Sequence, residues 1–286
     1  MRAMRRLPSR PAGTPAGRHA AVGVLAVLLG AMATGCASDA GGEFVPSRAG
    51  TLTVVTEPLP TAGFWEGSDA RPTGGLEYAI AGELARRLGL ERVEVRVEDF
   101  STIVRGDLGD ADVALALITP TEARDEVLDF STPYVRTPPA LVVRAGTEIP
   151  DVHTAQGLRF AVGADTTFED IVADVIRPDT APQRFERPAD ELDAVRAGEA
   201  DVAMFDLVAA EAIVADDPRL AIAARLGDTE PIAAALPEGS DNTEAVSSTL
   251  RGMTADGTLD RLAERWLGVS LTESAGGVPL LRTDEA

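Results

Sequence analysis

The sequence contains no lysine, one cysteine and two histidines among its 286 residues. The absence of lysine excludes Schiff-base chemistry and the lysine of a phosphate-binding loop. A single cysteine excludes an intrachain disulfide, so the core must hold the fold together. His153 lies in a loop-like segment at 150–154, which argues against a histidine-based catalytic triad. With so few imidazoles and thiols, we expect no zinc or iron site and no cofactor.

Positive charge is also scarce, since 26 arginines face 46 acidic residues and the formal net charge is −20. Nucleic acid binding requires a basic surface that neutralises phosphates, so this balance argues against a nucleic acid partner. Such a charge is compatible with a solvated surface outside the cytoplasm. About 250 residues after a leader are enough for a real core and suggest one or two domains.

The amino terminus has the pattern of an export signal. Several arginines precede an apolar run at 20–33, which is too short for a stable membrane span. The small residues Ala33, Thr34 and Gly35 stand directly before Cys36, as in a bacterial lipoprotein cleavage site. We predict a signal peptide at 1–35, lipidation of Cys36 and a flexible tether at 36–50 that anchors an extracytoplasmic protein to the cell membrane. A plain signal peptide followed by an incidental cysteine is the alternative.

The segment 112–124 is the most informative stretch. It reads as a buried strand that turns sharply into a helix, with Thr119 as N-cap, Pro120 at the first helical position and Glu122 completing a capping box. One turn later stands Arg124, whose planar guanidinium matches a carboxylate. This arrangement predicts a clamp for a small anion. An ordinary capped helix with a surface arginine is the competing interpretation.

The order of predicted elements indicates an α/β fold. A strand at 52–55, a helix at 75–89, a strand at 93–97, a helix near 100–107 and the strand at 112–117 alternate as in a parallel sheet. A second alternation extends from 158 to 224. Two helices near 241–253 and 257–267 follow, and the polar segment 270–286 is predicted to be a disordered tail.

Five segments in this order resemble the type 3 extracellular solute-binding proteins of ABC transporters, the polar amino-acid-binding family. They cover about 51–268 and comprise LTVVTE at 52–57, GLEY at 75–78 leading to ELARRLG at 83–89, DVALALITPTEAR at 112–124 leading to DFSTPY at 129–134, GEADVA at 198–203 leading to Asp206, and ADGTLD at 255–260 leading to RWLG at 265–268.

The resemblance implies two α/β lobes with parallel-rich sheets, joined by two hinge crossings, with a ligand in the cleft between them. It places lobe 1 at 51–139, lobe 2 at 140–234 and a return to lobe 1 at 235–269, with crossings near 138–145 and 227–236. The implied partners are an amino acid and a membrane permease, and the protein is expected to be a monomer.

The resemblance also implies roles for individual residues. Arg124 would bind the ligand carboxylate together with Thr119 and the pair Thr166 and Thr167, and Asp206 would bind the α-ammonium group. The remaining residues carried over are Glu57 facing the ammonium, Leu117 beside the clamp, and Phe64 or Trp65 as the aromatic wall.

Each of these roles has a structural alternative. Asp206 and Thr166 could serve as helix N-caps, Trp65 as a core aromatic and Glu57 as a solvated strand end. Leu117 and Ala116 stand where the family often has serine or glycine, and Asp165 replaces the usual glycine. An acid at 165 would repel a ligand carboxylate unless it turns away or meets a cation. The excess of acids over Arg124 favours a neutral polar or cationic amino acid.

Two other functions remain open. A periplasmic dehydratase of prephenate or arogenate shares this fold and would need a cleft acid such as Glu57 or Glu77 as proton donor. An orphan ligand sensor, or the sensing half of a lytic transglycosylase, is the other alternative. We expect no catalytic or signalling domain after Gly268 and therefore favour a binding protein without enzymatic activity.

Overall fold

The computed structural model describes residues 42–59, 61–227, 229–271 and 277–282. The predicted signal peptide and Cys36 lie outside these residues. Within the described part of the chain, no helix combines the length and the apolar sequence needed to cross a bilayer.

The strands, in chain order, are β1 (Thr51–Thr56), β2 (Glu66–Ser68), β3 (Arg71–Gly74), β4 (Arg92–Val97), β5 (Val113–Ala114), β6 (Leu128–Phe130), β7 (Val135–Thr137), β8 (Pro139–Arg144), β9 (Phe160–Gly163), β10 (Gln183–Phe185), β11 (Val202–Asp206), β12 (Leu220–Arg225), β13 (Glu230–Ile232) and β14 (Ala235–Pro237). The helices are α1 (Leu76–Arg87), α2 (Phe100–Val104), α3 (Glu122–Asp125), α4 (Val152–Gln156), α5 (Thr167–Ile171), α6 (Pro188–Ala197), α7 (Leu207–Asp216), α8 (Thr243–Ala255) and α9 (Thr258–Leu267), and a π-helical turn at Val172–Ile176 continues α5.

The first lobe is built on a five-stranded sheet in the order β4-β1-β5-β14-β6. Strand β1 pairs in parallel with β4 and β5, and β14 joins in antiparallel orientation beside β5 and β6. Every residue of β1 is buried, as expected for a strand covered on both faces. Helix α1 buries Leu76, Ile80 and Leu84 on one stripe, and α8 and α9 pack against it.

The second lobe is built on a sheet in the order β10-β9-β11-β8-β12. Strands β9, β10 and β11 are parallel, while β8 runs antiparallel to β11 and β12. Separate clusters of buried apolar side chains lie on the two faces of this sheet. The fold is therefore a two-lobe α/β architecture, in agreement with the expected class.

The crossing between the lobes is displaced from its expected position near 138–145. The antiparallel pair of β7 and β13 connects the lobes, and β8 lies entirely within the second sheet. The reason is the apolar run in β8, which is fully buried between β11 and β12 and so belongs to the sheet interior. The predicted second crossing near 227–236 also belongs to two parts of the structure, because β13 pairs with β7 whereas β14 joins the first sheet.

Two terminal segments that were expected to be flexible contact the lobes. In the predicted tether, the backbone N–H of Val45 donates to Asn242 at 2.8 Å, and that of Ser47 donates to Asp112 at 2.6 Å. In the predicted disordered tail, Leu281 is buried and its backbone N–H donates to the carbonyl of Arg225 in β12, whose own N–H donates to the carbonyl of Pro279. These contacts involve residues distant in sequence, so local composition did not indicate them.

Candidate functional site

A cavity of about 740 Å3 lies between the two lobes, at the carboxyl ends of β1, β5, β9 and β11. This position is where open α/β sheets bind their ligands, and the volume lies within the range of about 300–1,000 Å3 typical of small-molecule sites. Its wall brings together eight of the nine predicted ligand-binding residues: Glu57, Trp65, Leu117, Thr119, Arg124, Thr166, Thr167 and Asp206.

Arg124 lies on the first-lobe side of the cavity. Its guanidinium donates from Nη1 to the carbonyl of Thr119 at 2.7 Å and from Nη2 to the carbonyl of Asp165 at 2.8 Å, and it lies 5.4 Å from the ring centre of Phe100. Burial lowers the pKa of Arg124 to about 10, so the group stays charged at neutral pH. The guanidinium has five N–H donors, and three remain without an acceptor among the described residues. The surface-arginine interpretation is therefore wrong.

The predicted capping box is wrong in position. Helix α3 begins at Glu122 with Thr121 as its N-cap, and the Oγ1 atom of Thr121 accepts a hydrogen bond from the backbone N–H of Arg124 at 3.2 Å. The competition is local, because threonines occur at both 119 and 121, and the second one has extended backbone angles that suit the cap. Helix α3 is a single turn, too short to offer a helix-terminus site, so the Arg124 side chain is the cationic group that this segment presents to the cavity.

Asp206 lies on the opposite, second-lobe wall at the end of β11 and the start of α7. Although it occupies the N-cap position, its side chain makes no capping hydrogen bond. The carboxylate is buried, and it has no hydrogen-bond or ion-pair partner among the described residues. Burial raises the pKa of Asp206 well above its usual value, and the nearby charges of Glu230, Glu77 and Glu57 add to the effect. A buried acid without a partner at a cavity wall suits a cationic group of a ligand.

The two threonines of the second lobe flank the same cavity. Thr166 is at the N-cap position of α5, but its hydroxyl donates to the carbonyl of Gly163 at 2.8 Å instead of capping the helix. Thr167 follows on the wall. Together with Thr119 and Arg124, they surround the cavity with hydroxyl groups and one guanidinium.

Phe64 and Trp65 are both fully buried in the first-lobe core, as the core-aromatic alternative for Trp65 predicted, but only Trp65 also lines the cavity. Trp65 contributes to the cavity wall, while its Nε1 donates to Glu77 at 2.6 Å and to the carbonyl of Leu115 at 3.1 Å. Phe64 is fully buried in the first-lobe core and does not line the cavity, so the expectation for this residue is wrong. Neighbouring residues in the turn at 61–65 face different surroundings, and only the structure distinguishes them.

Glu57 is buried at the end of β1 and is not the solvated strand end that one interpretation allowed. It accepts a hydrogen bond from the hydroxyl of Thr61 at 3.1 Å. Burial, with the charge of Glu77 as a second cause, raises the pKa of Glu57 to about 8. At neutral pH and without a ligand, this carboxyl group is therefore largely protonated.

Two of the three residues that depart from the family pattern share an unusual backbone conformation. Leu117 has φ 50° and Asp165 has φ 58°, in the left-handed region that favours glycine. The Asp165 carboxylate turns to Arg105 and Arg184, each at 3.1 Å, so its charge is compensated. The backbone N–H of Leu117 donates to Glu77 at 2.9 Å, which holds the turn after β5. The predicted strand at 112–117 is shortened to β5 because the chain turns here.

Sequence reasoning missed Glu191, which is 3% exposed and lines the cavity from α6. Its Oε2 atom is buried and has no hydrogen-bond partner in the part of the chain that the structure describes. The signal was available in part, since Glu191 falls four residues before the buried Val195 on the same helix face. An acid in the first turn of a helix is usually interpreted as a charge that stabilises the helix terminus. Whether Glu191 is buried depends on how the two lobes meet.

Comparisons with known proteins identify a family and several relatives. A family model for bacterial extracellular solute-binding proteins, family 3, matches residues 52–269. The L-cystine-binding protein TcyJ of Escherichia coli K12 is 28% identical over 268 residues, which cover 90% of this chain and 98% of that protein.

Two solved structures share the fold. An ancestral arginine-binding protein bound to glutamine has a TM-score of 0.69 and 27% identity, covering 78% of this chain and 100% of that one. The ancestral amino acid-binding protein AncCDT-1, a precursor of cyclohexadienyl dehydratase, has a TM-score of 0.67 and 26% identity, covering 76% of this chain and 95% of that one.

Proposed function

The chain belongs to the bacterial extracellular solute-binding proteins of family 3, and we propose that it binds a polar amino acid or similar small zwitterion for an ABC importer. One observation carries the proposal: a buried guanidinium, Arg124, and a buried carboxylate without a partner, Asp206, face one cavity from opposite lobes. A free amino acid presents a carboxylate and an ammonium group that complement this pair. Each charge-assisted hydrogen bond is worth about 1.5–3 kcal/mol.

In the proposed complex, Arg124 binds the α-carboxylate, aided by Thr119 and Thr167, and by Thr166 when its hydroxyl turns from the Gly163 carbonyl to the ligand. Asp206 binds the α-ammonium group, and Trp65 forms part of the apolar wall. Leu117 shapes the floor through its left-handed turn. These roles place one charged ligand group on each lobe, so the ligand links the lobes.

Binding is proposed to accompany lobe closure about the pair of β7 and β13. Several polar contacts already join the lobes, including the bond from Arg124 to the Asp165 carbonyl and a bond from Arg187 to the carbonyl of Leu59 at 3.0 Å. A permease would then recognise the closed, liganded form. The protein is expected to act as a monomer.

The proposal is tested by the thermal unfolding of the purified protein with each of the twenty amino acids, polyamines and prephenate. A ligand that binds only the native state raises the midpoint, and a hundredfold excess over its Kd stabilises by about 2.7 kcal/mol. We expect one amino acid or a small group of them to raise the midpoint. The absence of a shift from every amino acid would contradict the proposal.

The dehydratase alternative has a specific observation in its favour, because Glu57 is a protonated acid at the cavity wall with a pKa of about 8. We propose nevertheless that the ligand leaves the cleft unchanged. Incubation with prephenate, followed by detection of the dehydrated product, separates the two functions. Turnover that is lost in Glu57→Gln would establish the enzyme instead.

We further propose that Cys36 carries a lipid anchor after removal of residues 1–35, which would hold the protein at the outer face of the cell membrane. Cys36→Ser is expected to shift the expressed protein from the membrane fraction to the soluble extracytoplasmic fraction. Ser38→Ala, which keeps the thiol, serves as the control. Retention of the Cys36→Ser protein in the membrane fraction would contradict the anchor.

A further inference from the structure

Glu57 and Glu191 are two buried carboxyl groups that line the cavity from different lobes. Glu57 is 8% exposed at the end of β1, and Glu191 is 3% exposed in the first turn of α6. Neither belongs to the pair formed by Arg124 and Asp206. Burying an acid has a large free-energy cost unless a cation or hydrogen-bond donors compensate it, so the two groups call for an explanation.

Their compensation by the protein is incomplete. Among the described residues, Glu57 accepts one hydrogen bond, from Thr61, and the Oε2 atom of Glu191 has no partner. Gly163, at the end of β9, leaves room for this carboxyl group, because a Cβ there would lie 3.2 Å from Oε1 of Glu191. The carboxyl group therefore lies at the ligand-facing edge of the second sheet.

The neighbouring arginines are committed elsewhere. Arg187 donates to the carbonyl of Leu59 and lies 3.6 Å from Asp69. At the far end of the cavity, Arg196 and Arg219 both bind Asp217. Among the described residues, no arginine therefore neutralises Glu57 or Glu191.

Burial raises the pKa of both carboxyl groups, and the charge of Glu57 raises that of Glu191 further. Two acids whose charges repel one another take up protons when no cation is present. A ligand cation placed beside them would stabilise the ionised forms and satisfy the unpaired oxygen.

Building on the proposed function, we infer that Glu57 and Glu191 form a second cation subsite across the cleft, which binds the side-chain ammonium or guanidinium group of a dibasic amino acid. The ligand would then carry two cationic groups and one carboxylate, matched by Asp206, by the Glu57 and Glu191 pair, and by Arg124. A double zwitterion such as cystine fits less well. Its second carboxylate needs a second uncommitted cation, and Arg124 is the one lining arginine of the described wall without a carboxylate partner.

The test compares L-arginine with L-citrulline, which has nearly the same shape but a neutral side-chain end. Calorimetric titration of the purified protein is expected to give a Kd for arginine at least about tenfold lower than for citrulline, the effect of one charge-assisted hydrogen bond. Glu191→Gln is expected to remove most of this preference by weakening arginine alone, and Glu57→Gln is expected to act in the same direction.

Asp190→Asn is the matched control, because Asp190 is exposed on the same helix and its loss changes the net charge equally. This variant is expected to keep the preference for arginine. Because glutamine occupies nearly the volume of glutamate, the variants should fold, and their thermal midpoints verify this.

Four results would overturn the inference. The first is an unchanged ratio of arginine to citrulline affinity in both Glu191→Gln and Glu57→Gln, and the second is tighter binding of cystine than of arginine. If neutral amino acids bind as tightly as arginine and Arg124→Ala abolishes their binding, the subsite is refuted while the proposed function stands. If no amino acid binds at all, both are refuted.

Discussion

Arg124→Ala is expected to weaken amino acid binding by at least about 100-fold while the protein remains folded. The variant loses the guanidinium that faces the cavity, and two charge-assisted hydrogen bonds of about 1.5–3 kcal/mol each correspond to a factor of this size. It also loses the bond to the Asp165 carbonyl, which joins the lobes. Titration calorimetry with the ligand found by thermal unfolding measures the effect.

Arg105→Ala is the matched control for this substitution. Arg105 also contacts Asp165 across the cleft, but its side chain is exposed and does not line the cavity. Its removal should change the affinity by no more than about threefold, since exposed ion pairs contribute about 0–1 kcal/mol. Full affinity in Arg124→Ala would show that the carboxylate binds elsewhere and would refute the assigned site.

The position of this site could be predicted because it depends on chain order. The sequence indicated that Arg124 and Asp206 follow buried strands, and the carboxyl ends of such strands meet at one edge of a sheet. Their side chains face one cavity in the structure. Burial and the missing hydrogen bonds of Asp206 could not be predicted, because they depend on how closely the lobes approach.

Finer details escaped prediction for local reasons. Thr119 and Thr121 both match an N-cap, and only backbone geometry selects the second. Phe64 and Trp65 have similar sequence surroundings and both lie in the first-lobe core, yet only Trp65 also reaches the cavity wall. The left-handed conformation at Asp165 could not be predicted either, because the residue that usually indicates it, glycine, is absent from this position.

The contacts of the terminal segments and the position of Glu191 could not be predicted for another reason. Leu281 donates a backbone hydrogen bond to Arg225 of β12, and Glu191 faces the cleft beside Gly163, through contacts between residues far apart in the chain. Periodicity describes a face of one helix or strand, but it does not say which distant segment covers that face. The sequence pattern of α6 therefore did not identify Glu191 as a residue of the cavity wall.

Glu77→Ala is expected to destabilise the protein by about 3 kcal/mol or more. The Glu77 side chain is fully buried in α1 and accepts hydrogen bonds from Trp65 Nε1, from the backbone N–H of Leu117 and from the hydroxyl of Tyr134. Removing the carboxylate leaves these buried donors without their shared acceptor, at about 1–3 kcal/mol for each donor left unsatisfied. Trp65 keeps the Leu115 carbonyl as a second acceptor, so this donor contributes the smallest part of the destabilisation.

The thermal midpoint without ligand is the measurement, because about 3 kcal/mol in a protein of this size lowers it by about 6 °C or more. Glu83→Ala is the control on the same helix, since Glu83 binds Arg86 and Arg87 at the surface and its loss should cost about 1 kcal/mol at most. A midpoint in Glu77→Ala equal to that of Glu83→Ala would mean that water replaces the carboxylate. The expected outcome would instead make Glu77 the support that holds the Leu117 turn and Trp65 against the cavity, so that the residual affinity of this variant should fall together with its stability.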